Sequence, residues 1–135
     1  MFVNKSENSL YGGTATGVPG EIKGYYRAHK IGGVLPWKEL IQPTIDLCTN
    51  GFKISKALAG ALSDKEQLIK KNSMLNQMFI NPYTNSVYKM GDIIRLPQFA
   101  KTLKYISESD SDDVFYNGLL SGLVVSEVNK NGGNF

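Results

Sequence analysis

The run VPGEIKG from Val18 to Gly24, followed by YYRAHKIGGVLPW and then QPTIDLCTNGFKI, constrains this chain more than any other feature. A proline-glycine turn opens one helix and a second proline opens another, because proline's fixed φ suits a first helical turn and its missing N–H is not needed there. Neither helix carries a recognisable reacting group. The stretch reads less like a complete small protein than like an interior part of a larger one.

At 135 residues the chain has room for one domain, and its 41% hydrophobic and 20% charged residues are ordinary for a folded segment. Lysine and arginine number 15 against 12 acids, a net +3, and they are scattered along the chain. Nucleic-acid binding starts from a concentrated basic stripe, so no nucleic-acid partner is expected. No apolar run approaches the roughly 18 residues of a membrane span, and the opening MFVNKSENSL lacks the apolar centre of a signal peptide. The lone Cys48 cannot form an internal disulfide, and with the lone His29 it cannot build a Cys/His metal cluster. Asn4-Lys5-Ser6 matches a glycosylation acceptor, which matters only if the protein enters the secretory pathway.

The pattern predicts a mainly α segment with one small β-hairpin. Residues 1–17 read as loop with a short strand near Thr14–Thr16, 18–77 as helices, 78–94 as the hairpin and 95–133 as helices again, all within a single partial domain. Ile22, Tyr25, Tyr26 and His29 recur at helical spacing, beside a small-residue strip at Gly24 and Ala28 that another backbone could approach closely. Trp37, Leu40, Ile41, Leu47 and Cys48 mark the inner side of the second helix, in which Pro43 predicts a kink or break near Gln42. Asn50-Gly51 supplies its left-handed stop. Ile54, Leu58, Ala61 and Leu62 indicate a third helix, and Ser63-Asp64-Lys65-Glu66 has the capping-box pattern for a fourth, ending about Asn72. Aromatic and β-branched residues flank Asn81–Asn85, with a second turn at Met90-Gly91-Asp92. Leu96-Pro97 opens a helix with Phe99, Ala100, Leu103 and Ile106 inside. Asp110 or Ser111 then caps a last helix over roughly Asp112–Asn131, stopped by Gly132-Gly133; apolar on two sides, it should be deeply buried or await a partner.

No active site emerges from these residues. GGTATGVPGEIKG fits neither the Walker spacing nor G-x-G-x-x-G, and no apolar strand precedes it, so its glycines serve turns and close packing. His29 on an apolar helix face is a packed, hydrogen-bonded histidine by default, with no nominated catalytic partner. Cys48 near a helix C-terminus sits at the wrong end of the dipole for a reactive thiolate. The acidic run Glu108–Asp113 lacks calcium-loop spacing. No catalytic, cofactor-binding or metal-binding residue is therefore assigned.

The blocks VPGEIKGYYRAHKIGGVLPW, LIQPTIDLCTNGFKISKALAGAL, GDIIRLPQFAKTLKYI and DVFYNGLLSGLVVSEVNKNGG resemble, in order and spacing, the large subunit of γ-glutamyltransferases, also called γ-glutamyl transpeptidases or glutathione hydrolases. The resemblance runs over nearly the whole chain. It implies an N-terminal-nucleophile hydrolase, an αββα sandwich of stacked sheets between helical layers. The precursor of such an enzyme cleaves itself, and the small subunit's new N-terminal threonine becomes the nucleophile with its own amine as base. The implied reaction moves the γ-glutamyl group of glutathione to water or an amino acid, through an oxyanion held by backbone donors. It implies no metal or organic cofactor. Its partners would be the rest of the large subunit and the small subunit, in an extracellular, membrane-anchored or periplasmic setting.

Relative to that family the sequence is expected to begin after the substrate-binding arginine region and to stop before the small subunit. None of Thr14, Thr16, Thr44, Thr49, Thr84 or Thr102 lies in the family's nucleophile motif. No catalytic residue is carried over. The expectation is a structural segment, inactive by itself, and the alternative is a non-catalytic truncated paralogue serving as a helical interaction module.

Overall fold

The computed structural model describes residues 6–134. After two short 3-10 turns, Ser6–Ser9 and Gly13–Ala15, the helices are α1 (Glu21–Gly32), α2 (Trp37–Asn50), α3 (Lys56–Asp64), α4 (Glu66–Lys71), α5 (Ser73–Phe79), α6 (Pro97–Ser107), α7 (Asp113–Tyr116) and α8 (Leu119–Lys130). The strands are β1 (Phe52–Lys53), β2 (Ile80–Asn81), β3 (Ser86–Val87) and β4 (Ile93–Ile94). The structure is thus mostly helical with two small antiparallel sheets, β1 with β4 and β2 with β3. The chain divides into two compact units where length alone predicts one. The first comprises the described residues up to Leu40 and from Tyr105 onward, the second Ile41–Lys104.

The second unit is built around Ile54, Leu62, Ile69, Ile80, Val87 and Ile94, all buried. Sequence periodicity assigns Ile54 to a helix, but the chain there is extended. The Ile54 amide donates to the Asp92 carbonyl (2.8 Å) and its carbonyl accepts from Gly91 (2.9 Å), continuing the β1–β4 ladder. Ser55 then caps α3, its hydroxyl accepting from the Leu58 amide at 3.2 Å. The capping box at Ser63–Glu66 does not form. Ser63 and Asp64 are still inside α3, and Lys65 ends that helix and starts α4 without a side-chain cap. Asn72 is the cap that operates, for helix α5, accepting from the Leu75 amide at 3.0 Å.

The hairpin pairs Ile80 with Val87 and Asn81 with Ser86. Its turn is organised by Asn81, whose side chain accepts from the Tyr83 amide (3.0 Å) and whose carbonyl accepts from Asn85 (2.9 Å), the one described non-glycine residue with positive φ. A second cluster joins Ile45 and Cys48 of α2 to Ala100 of α6, with Ile41, Leu96 and Leu103 packed on it. The spacing 41, 45, 48 is the true inner stripe of α2, and Leu40 and Leu47, predicted inside, are half exposed on its flanks. Phe99 is likewise half exposed. Of the kink or break predicted near Gln42, the break does not occur, because α2 is continuous from Trp37 to Asn50. Only the bond to the Glu39 carbonyl is forfeited there, and the Gln42 side chain spans the site, donating to Asp46 at 2.8 Å.

In the first unit the expected strand near Thr14–Thr16 is instead the 3-10 turn Gly13–Ala15, closed by Thr16 donating to the Gly13 carbonyl. Gly13 is buried against the end of α8, its amide donating to the Asn131 carbonyl at 2.8 Å. The single last helix predicted over 112–131 is two, α7 and α8, interrupted at Asn117-Gly118. Gly118 is extended there, and a Cβ on it would lie 2.9 Å from the Val114 carbonyl oxygen, so the chain doubles back too tightly for a continuous helix. Nor is α8 deeply buried: Val128 is covered while Leu119 and Leu123 are exposed.

Helix α1 buries Tyr26 and half-buries Ile22 and His29, but Tyr25 is 57% exposed. The Gly24/Ala28 strip is exposed too, and nothing lies within 4 Å of a Cβ placed on Gly24. No described backbone makes the close approach that the strip predicts. With ordinary helical geometry and free space, Gly24→Ala is expected to raise stability by about 0.5–1 kcal/mol, through helix propensity and a less flexible unfolded chain. Urea denaturation of the two proteins measures this, and a loss of stability would mean that a neighbour does occupy the strip.

Candidate functional site

Four threonines, the cysteine and the histidine are tied into the fold. The Thr14 hydroxyl donates to the Asn8 carbonyl (2.8 Å), and those of Thr49 and Thr102 donate to carbonyls one helical turn back, Ile45 (2.8 Å) and Gln98 (3.3 Å). Thr84 shares a hydrogen bond with Ser86 at 2.9 Å. None of these four pairs with a base. Cys48 is 3% exposed in its apolar cluster, and burial pushes its thiol pKa up, which disfavours the nucleophilic thiolate. His29 is half-buried, its Nε2 2.7 Å from the Leu35 carbonyl oxygen, so its ring faces backbone rather than a nucleophile. Among the described residues no group of three or more His, Cys, Asp or Glu side chains is placed to hold a metal ion.

The acidic run does architectural work. Asp110 accepts from Lys30 Nζ at 3.1 Å, and its carbonyl and carboxylate both accept from the Tyr26 hydroxyl. Ser111, one of the two predicted caps, accepts from the Asp113 amide at 3.0 Å, whereas Asp110 faces α1 instead. Nearby, the Tyr116 hydroxyl donates to the Pro19 carbonyl (2.6 Å) and accepts from the Lys23 amide (3.1 Å), fixing the entry of α1. Sequence spacing does not reveal the contacts of Tyr26, Lys30 and Tyr116, which join residues 80 or more positions apart. The polar ends of Tyr26 and Tyr116 are the only hint, since buried tyrosines seek a partner.

Hydrogen bonding and attraction from Lys30 hold the Asp110 carboxyl below the usual aspartate range, with Tyr26 adding to it. A carboxyl with a depressed folded pKa contributes stability above its unfolded pKa of about 4 and loses it as pH falls through the folded value. The first unit is therefore expected to weaken on acidification below about pH 4. Asp110→Asn should flatten that part of the pH–stability curve while the second unit is unaffected. Fluorescence of the only tryptophan, Trp37, reads the effect, since its Nε1 donates to the Ile106 carbonyl in the same unit.

The described residues include a shallow groove in each unit. The larger, about 230 Å³, lies between Met74 and Met78 of α5 and the segment Arg95–Phe99 that opens α6. The smaller, about 110 Å³, is lined by Val18, Pro19, Phe115, Tyr116 and the inner side of α8. Both are mainly apolar and neither gathers a nucleophile with a base. Asn4 lies outside the described residues. Among the described residues no helix is long and apolar enough to cross a membrane.

Comparison with known proteins supplies what the geometry does not. The family model described as Gamma-glutamyltranspeptidase matches residues 1–135. Glutathione hydrolase 3 of Arabidopsis thaliana is 37% identical over 133 residues, 98% of this chain and 20% of that protein. A glutathione hydrolase proenzyme of Pseudomonas aeruginosa is 33% identical over 125 residues, 93% of this chain and 21% of that protein. The crystal structure of Helicobacter pylori gamma-glutamyltranspeptidase superposes with a TM-score of 0.86 at 31% identity, covering 94% of this chain and 36% of that one. The chain thus spans about a fifth of the length of these curated relatives. With the family model matching from end to end, the chain belongs to the gamma-glutamyltranspeptidase family.

Proposed function

We propose that this chain is a structural segment of the large subunit of a γ-glutamyltransferase, an enzyme that transfers the γ-glutamyl group of glutathione to water or to amino acids. In this reading the complete enzyme has the αββα sandwich of the N-terminal-nucleophile hydrolases. The present residues contribute helices to it, and the reacting threonine and substrate arginine lie in other parts of the protein. One observation carries the reading: the family match extends over all 135 residues, yet the threonine hydroxyls with assigned partners are bonded to backbone carbonyls or to Ser86.

A γ-glutamyl anilide tests it directly. The purified chain is expected to release no chromogenic amine above the uncatalysed rate, and to regain release only when joined to the remaining parts of a family enzyme. Turnover by the chain alone would overturn the assignment of the nucleophile elsewhere.

A further inference from the structure

The chain has one histidine, and its surroundings decide which ring nitrogen carries the hydrogen. We infer that His29 is a positioning residue, whose Nε2–H clamps the turn between α1 and α2 while Nδ1 keeps a bare lone pair. The Leu35 carbonyl can only accept, so the nitrogen 2.7 Å from it must be the donor. Nδ1 is buried and has no hydrogen-bond partner among the described residues. An N–H at that position would be a buried donor without an acceptor, which costs more than leaving a lone pair bare.

The rest of the ring is as closely engaged. The Gly33 amide donates to the His29 carbonyl at 2.7 Å, and a Cβ on Gly33 would lie only 2.3 Å from His29 Cδ2, so the imidazole is packed against Gly33. The Trp37 ring stands 5.5 Å away, centre to centre. One side chain therefore touches the start, the middle and the end of the connection. Aliphatic burial contributes little to this turn, because Val34 is 94% and Leu35 53% exposed. The imidazole supplies the constraint instead, and with it the entry geometry of α2.

Long-range proton–nitrogen correlation on the 15N-labelled full chain gives a single histidine spin system. The expected pattern is a pyrrole-type signal for Nε2 and a pyridine-type signal for Nδ1; the reverse pattern, or an average of the two, would overturn the inference. A pair of variants tests the clamp independently. A glutamine amide reaches the position of Nε2 and an asparagine amide that of Nδ1. His29→Asn should speed hydrogen exchange of the Gly33 amide on the order of tenfold, the worth of one lost bond, and His29→Gln should stay within about twofold of the parent. Equal acceleration in both variants would show that the ε donor does not hold the turn.

Discussion

Gly13→Ala is expected to destabilise the protein by about 3 kcal/mol, the upper range for overpacking a closed site. The new Cβ would lie 2.2 Å from the Val128 carbonyl oxygen and 2.4 Å from the Gly133 amide nitrogen. All the nearest atoms are backbone, so no side chain can rotate away to relieve the contact. The segment must lift, and lifting stretches the bond from the Gly13 amide to the Asn131 carbonyl. The opposing residue is equally confined, since a Cβ on Gly133 would lie 2.3 Å from Val128 Cγ1 and 2.8 Å from the Gly13 carbonyl oxygen. Gly17→Ala is the control. Nothing lies within 4 Å of its Cβ position, and that variant should match the parent or gain slightly. Urea midpoints at unchanged slope measure both; a Gly13→Ala protein within about 0.5 kcal/mol of the parent would mean that the contact does not exist in solution.

This contact shows how far the sequence could be read. The paired glycines near each end are visible as turn formers, and Gly12 and Gly132 do take positive φ. That Gly13 and Gly133 press together is a meeting across 120 positions which no local pattern encodes. The helix start at Pro97 and the stop at Gly51 were legible because each depends on one residue's own backbone preference, whereas Pro36 and Pro19 lie just ahead of α2 and α1. Caps were less so: Ser63 has the right neighbours and does not cap, because α3 has not ended there, while Asn72 caps a helix whose apolar pattern is weak. Tyr25, Leu47 and Phe99 sit at core spacing yet lie half exposed. Spacing reports which residues share a face, and tertiary context decides whether that face is covered. The functional side divides in the same way. Residue chemistry at His29, Cys48 and the glycine run nominates no reacting group, whereas the family became visible only through resemblance.

Ile94→Ala is expected to cost about 3–4 kcal/mol, within the range for emptying a filled aliphatic site. Ile94 is 1% exposed, one of the two most completely buried large side chains, and it lies among Ile54, Leu62, Ile69, Ile80 and Val87. It also pairs with Phe52 in the β1–β4 ladder, whose next pair is Lys53 with Ile93. Adjacent strand residues point to opposite faces, so the neighbour must behave differently. Ile93 is 43% exposed, and Ile93→Ala should change stability by about 0.5 kcal/mol or less. The comparison is sharper than either number, because the two substitutions remove the same atoms from consecutive positions. A one-residue slip in pairing would exchange their effects, and equal losses would mean that the two-residue strands do not fix a face at all. The predicted asymmetry therefore tests whether so short a ladder can set the register on which the core of this unit depends.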